Sequence, residues 1–300
     1  MFRALMATPN DDRRKITVPA LVQQKREGRP IVMVTAYDAT FAKLVDASDV
    51  DVILVGDSLG MVMQGQDNTL AVTLDETIYH VRCVRRVVRH AHVVADLPFM
   101  SYQVSAGQAL ESAGRCVKEA GAEAVKLEGG ADVAAQIKSI VGAGIPVMGH
   151  LGLTPQSVHA FGGFKVQAKD AASAQRLRED ALRLQDAGVY SLVLEGIPAD
   201  LAATVSESLD VPTIGIGAGV GCDGQVLVMH DLLGLDDTFK PKFVKRYAEL
   251  AQPIRNAFDA FAGEVRAREF PTQAHSFGVG KATVVPTSSK APTGAYGPEE

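Results

Sequence analysis

Val52-Ile53-Leu54-Val55-Gly56-Asp57-Ser58 carries four branched apolar residues straight into a glycine, a carboxylate and a hydroxyl. A run without polar alternation marks a strand buried on both faces, as in the parallel sheet of an α/β protein, with chemistry at its C-terminal end. The same pattern recurs in Val93-Val94-Ala95-Asp96, Ala124-Val125-Lys126-Leu127-Glu128, Pro146-Val147-Met148-Gly149-His150 and Leu192-Val193-Leu194-Glu195. Each run closes on an ionisable residue.

Upstream, Thr17-Val18-Pro19 supplies an N-cap and a first-turn proline, and Gly28 stops a short helix before the first strand, Ile31 to Thr35. Helices are expected over Ala39–Ala47, Leu74–His90, Ala106–Ala120, Ala131–Ala143, Ala171–Ala187 and Leu201–Ser208. Three of them end in Ala120-Gly121-Ala122, Ala143-Gly144-Ile145 and Ala187-Gly188-Val189, where glycine takes the left-handed C′ conformation and the next strand follows. With Pro212–Ile216 and Gln225–Met229 the strands number eight. Eight parallel strands with crossover helices close as a (β/α)₈ TIM barrel, whereas doubly wound sheets more often stop at about five to seven. The reading is a single barrel domain over 15–278 with flexible tails over 1–14 and 279–300. Two connections, Leu59–Thr73 and Leu151–Lys169, exceed the roughly 12 to 15 residues of ordinary loops and are candidate lids.

At 300 residues, 47% hydrophobic and 22% charged, the chain has enough apolar material for one large core. A net charge of -5 gives no basic field for nucleic acid, and no apolar run approaches the roughly 18 to 20 residues of a membrane span. Met1–Arg14 lacks the apolar core of a secretory signal, so a soluble cytoplasmic protein without nucleic-acid or membrane partners is expected. Cys83, Cys116 and Cys222 are odd in number and lack Cys-x-x-Cys spacing, which points to neither a disulfide framework nor zinc.

Asp57 and Asp96 close adjacent strands, so their carboxylates should converge and repel unless one protonates or a cation lies between them. Oxygen-only donors favour Mg²⁺. Each aspartate alone has an ordinary alternative as a helix or loop cap. Lys126 and Glu128 lie two apart on one strand, roughly 6.6 Å along the chain, so both face the barrel interior or neither does. They read as a structural ion pair or as a grip for a carboxylate substrate. His150 is open between packing and a substrate-facing role. Glu195 ends an apolar strand, where lost hydration would lift its pKa toward a general base; its alternative is a hydrogen-bond acceptor behind the site. Gly215–Gly219 lacks a basic partner and reads as close backbone approach rather than a phosphate site. The Arg82, Arg85, Arg86 and Arg89 stripe reads as a solvated helix face or subunit contact.

Asp51–Met61, Ala95–Met100, Val125–Gly130 and Gly149–Ser157 resemble the ketopantoate hydroxymethyltransferases. Phe161–Gln167, Leu194–Pro198, Ile214–Gly219 and Gly224–Asp231 continue in that family's order, and the likeness covers roughly residues 15 to 278. The resemblance implies a cytoplasmic, decameric TIM barrel. It also implies transfer of a hydroxymethyl group from 5,10-methylenetetrahydrofolate to 3-methyl-2-oxobutanoate, giving 2-dehydropantoate for pantothenate and coenzyme A. By position, Asp57, Asp96 and Glu128 take the family's Mg²⁺-site roles, Asp57, Ser58, Asp96 and Lys126 its ketoacid contacts, and Glu195 its proton acceptor. Ala168, where a glycine is common, and the tail from Lys281 to Glu300 depart from the pattern. Three other readings share some of these residues. They are a Schiff-base aldolase using Lys126, a Mg²⁺-dependent lyase or mutase of the phosphoenolpyruvate mutase type, and a non-catalytic ligand-binding barrel.

Overall fold

A computed structural model describes residues 13–237 and 241–277. The tail expected over 1–14 lies outside these residues except for Arg13 and Arg14, and the one expected over 279–300 lies outside them entirely. Eight parallel strands close in chain order: β1 (Ile31–Thr35), β2 (Val52–Val55), β3 (His92–Asp96), β4 (Ala124–Glu128), β5 (Val147–Gly152), β6 (Ser191–Glu195), β7 (Thr213–Ile216) and β8 (Gly224–Leu227), which pairs back onto β1. This is the (β/α)₈ barrel that the alternating runs predict. Residues up to Glu249 form the compact unit that holds it. A second unit begins at Leu250 and contains the helix Ala251–Ala267, which the sequence reading does not anticipate.

Alternate residues of each strand build two different cores. On β4, Ala124 joins the inner cluster of Met33, Leu54, Val94, Met148 and Val193, while Val125 and Leu127 face outward with Ile137, Ile140 and Leu184 of the helices. Leu21, from the helix Val18–Arg26, packs into the inner cluster and closes the barrel floor. Thr17 stands at that helix's N-cap position, but its side chain makes no capping bond. The glycines expected at helix ends do turn left-handed, with φ +78° at Gly121, +83° at Gly144 and +100° at Gly188.

The differences from expectation have local causes. The helix expected to reach His90 stops at Arg85, because Asp46 accepts the backbone N–H groups of Arg89, His90 and Ala91 at 2.7, 3.0 and 2.8 Å. The strand expected over Gln225–Met229 ends at Leu227; the Met229 N–H donates to Thr35 Oγ1 at 2.9 Å and begins the helix Met229–Leu233. Neither long connection is structureless. The first holds the helix Leu59–Val62, and the second holds the 3₁₀ turn Pro155–Ser157 followed by the helix Val158–Phe161. The described cysteines are all free, and among the described residues no helix is long and apolar enough to cross a membrane.

Candidate active site

Barrel closure brings every site residue named above except Ser58 into one chain of contacts at the C-terminal rim. Register sets the order, with Asp96 opposite Lys126, Glu128 opposite His150, and Gly152 opposite Glu195. Lys126 and Glu128 both point inward, as their spacing requires, and both are buried. Lys126 Nζ lies 2.8 Å from Asp96 Oδ1 and 3.9 Å from Glu128 Oε1. His150 bridges onward, its Nδ1 3.3 Å from Glu128 Oε1 and its Nε2 3.3 Å from Glu195 Oε2. Asp57 joins through its backbone, whose N–H donates to Asp96 Oδ2 at 3.2 Å. Ser58 stands outside that chain of contacts, its Oγ 2.8 Å from the hydroxyl of the buried Tyr37.

Burial and mutual charge determine the ionisation of these groups. Burial raises the pKa of Asp57 well above the usual carboxylate range, and Asp96 and Glu128 add to the rise. Asp96 is likewise raised by burial, against the pull of Lys126. Burial works to deprotonate Lys126, but Asp96, Glu128 and Asp57 outweigh it and hold the ammonium charged. Glu128 would be raised by burial, yet its close contact with His150 and that cation's charge bring it below its usual value. Burial and Lys126 oppose a charge on His150, and Glu128 and Glu195 overcome them, raising it to about 9. Glu195 is less enclosed than expected for the end of an apolar strand, with 17% of its side chain exposed against 3% for Glu128.

Four carboxyl groups therefore meet two cations, with Asp57 and Asp96 pushed toward their protonated forms. Asp96 Oδ1, Glu128 Oε1 and His150 Nε2 are buried with charged neighbours but without a directional hydrogen bond. A hard divalent cation suits this set of carboxyl oxygens. Asp96 Oδ1 is turned toward Lys126 and Glu128 Oε1 toward His150. Among the described residues no three His, Cys, Asp or Glu side chains already stand in metal-ligand geometry.

Two side chains in the network escape the sequence reading. Gln156, 6% exposed, donates through Nε2 to Asp57 Oδ2 at 2.9 Å and to the Leu97 carbonyl at 3.0 Å, and through its backbone N–H to Glu128 Oε2 at 3.0 Å. The Tyr102 hydroxyl lies 2.7 Å from Gln156 Oε1 and accepts the Glu128 N–H at 3.1 Å. A neutral amide in a loop and a tyrosine before a helix carry no pattern that sets them apart, although Gln156 lies inside one of the stretches that carry the family likeness.

A parallel barrel with buried carboxyl groups, a charged lysine and a bridging histidine at its C-terminal rim has the make-up of an enzyme of the (β/α)₈ class. The family model described as ketopantoate hydroxymethyltransferase matches residues 15–273. A 3-methyl-2-oxobutanoate hydroxymethyltransferase from Magnetococcus marinus is 58% identical over 265 residues, covering 88% of this chain and 99% of the relative. Another of that name, from Pelobacter propionicus, is 55% identical over 268 residues, covering 89% and 99%. The chain belongs to the ketopantoate hydroxymethyltransferase family and is a transferase. Among solved structures, phosphonopyruvate hydrolase in complex with oxalate and Mg²⁺ has the same fold, with a TM-score of 0.57 at 14% identity, covering 87% of this chain and 92% of that one.

Proposed function

We propose that the protein transfers a hydroxymethyl group from 5,10-methylenetetrahydrofolate to 3-methyl-2-oxobutanoate, giving 2-dehydropantoate for pantothenate and coenzyme A synthesis. In the net reaction the C3–H bond of the ketoacid breaks, C3 bonds to the methylene carbon, water supplies the hydroxyl oxygen, and tetrahydrofolate leaves. The observation that carries this reading is the pairing, in one rim pit, of a charged lysine with a carboxylate that still reaches solvent.

Lys126, held as an ammonium by Asp96, suits the grip of a substrate carboxylate. A protonated amine cannot attack a carbonyl, which argues against the Schiff-base aldolase. Asp57, Ser58 and Asp96 complete the ketoacid's polar surroundings. Mg²⁺, held by Asp57 and Asp96 with Glu128 in support, would supply Lewis-acid polarisation of the keto group. Glu195 is the proton acceptor at C3, since the other three carboxylates are buried and this one can return its proton to solvent. The His150 contact at 3.3 Å orients that carboxylate. The same reading makes the enzyme a cytoplasmic homo-oligomer, decameric by family likeness. Exposed Ile254, Phe258, Phe261 and Val265, at helical spacing on Ala251–Ala267, support self-association.

The test is hydrogen exchange at C3 in D₂O, followed by proton NMR of 3-methyl-2-oxobutanoate with Mg²⁺ and no folate. The unaltered enzyme should exchange this hydrogen and lose the activity in excess chelator, and borohydride should trap nothing. Glu195→Gln keeps size and hydrogen bonding but removes the base, so exchange should fall by about 10² to 10⁴. Undiminished exchange in that variant would move the base elsewhere. No exchange in the unaltered enzyme would overturn the assigned reaction.

A further inference from the structure

The second long connection starts at the rim as a fastening. Besides its three donor contacts, Gln156 takes 2.7 and 3.2 Å contacts at Oε1 from Tyr102 Oη and Gln103 Nε2, so all its amide hydrogen-bonding capacity is spent. Its partners come from the ends of three strands: Asp57 after β2, Leu97 after β3, and Glu128 on β4. Gln156 takes one oxygen of each carboxylate it touches. Asp57 Oδ2 is taken by the amide, and its Oδ1 receives no hydrogen bond from a described residue. Glu128 Oε2 is taken by the backbone N–H, while its Oε1 faces His150 Nδ1 at 3.3 Å and Lys126 Nζ at 3.9 Å. A glutamate at this position would set an acceptor against Asp57 and the Leu97 carbonyl, and an aliphatic residue would leave Asp57 Oδ2 buried without a donor. The position therefore calls for a neutral side chain that donates and accepts at once.

We infer that Gln156 is a positioning residue that ties one oxygen of Asp57, so that the other is presented for cation and substrate binding, and holds Glu128 with its free oxygen turned to His150. The inference rests on the proposed metal-dependent reaction. Groups that orient metal-binding carboxylates typically change affinity by about 10- to 100-fold when removed. Tyr102 steadies the amide from its acceptor side and bonds the Glu128 backbone but neither carboxylate.

The test is direct titration of the folded, substrate-free enzyme with Mn²⁺, read by the electron paramagnetic resonance of the free ion, beside thermal unfolding of the same samples. Gln156→Leu should weaken Mn²⁺ binding by about 10- to 100-fold, and Tyr102→Phe, which leaves both donor contacts in place, by only a few-fold. A merely structural role would lower the melting temperature without moving the Mn²⁺ dissociation constant. An unchanged constant in whichever variant folds overturns the inference and leaves the proposed reaction standing. If the unaltered protein takes up no Mn²⁺, the metal reading and this one fall together.

Discussion

His92 begins β3 at the end of the barrel away from the pit, with 3% of its side chain exposed. Its Nε2 lies 3.3 Å from the Tyr190 hydroxyl and its Nδ1 3.7 Å from Glu123 Oε2. Burial lowers its pKa from 6.5 to about 4, with Glu123 opposing the shift. On unfolding the imidazole regains its ordinary value, so the unfolded chain takes up the proton first as the pH falls. The neutral ring therefore contributes stability that is complete above about pH 6.5 and lost as the pH drops through about 4. Between about pH 7.5 and about pH 5 the unfolded state gains roughly 30-fold from this group, or about 2 kcal/mol, rising to about 3 kcal/mol at the acid limit. Urea unfolding at fixed protein concentration measures it, with His92→Gln as the non-titrating reference. The parent should lose about 2 kcal/mol more than the variant over that interval. Equal losses, within about 0.5 kcal/mol, would show that the ring titrates normally in the folded protein.

Gly152 faces Glu195 across the β5–β6 ladder at φ +96°, and a Cβ there would stand only 2.2 Å from the Glu195 carbonyl oxygen. Gly152→Ala should cost about 2 to 4 kcal/mol of stability in thermal or urea unfolding and slow C3 exchange by about 10²-fold as Glu195 shifts; parental stability and rate together would refute this. Ala168 sits at φ +53°, a left-handed conformation that a side chain resists. Ala168→Gly should stabilise by up to about 1 kcal/mol after the greater freedom of its unfolded chain is counted, and a lower unfolding midpoint would contradict that strain.

Much of this architecture is written in local patterns, because local physics produces it. Apolar runs ending in Asp57, Asp96, Glu128, His150 and Glu195 mark strands whose tips must share one rim, and the two-residue spacing of Lys126 and Glu128 already puts both on one face. Helix ends are legible only where the cap is local. Gly121 and Gly188 stop their helices as expected, whereas the helix from Leu74 is cut short by the side chain of Asp46, which reaches it across 43 to 45 residues of sequence. Pairing within the pit belongs to the tertiary structure. That Lys126 meets Asp96, that Glu128 turns to His150, and that Gln156 ties to Asp57 across 99 residues all follow from strand register and barrel closure. Alternation along one strand fixes which way a side chain points; only the closed ring of eight fixes what it finds there, and burial in that ring sets the charge it carries.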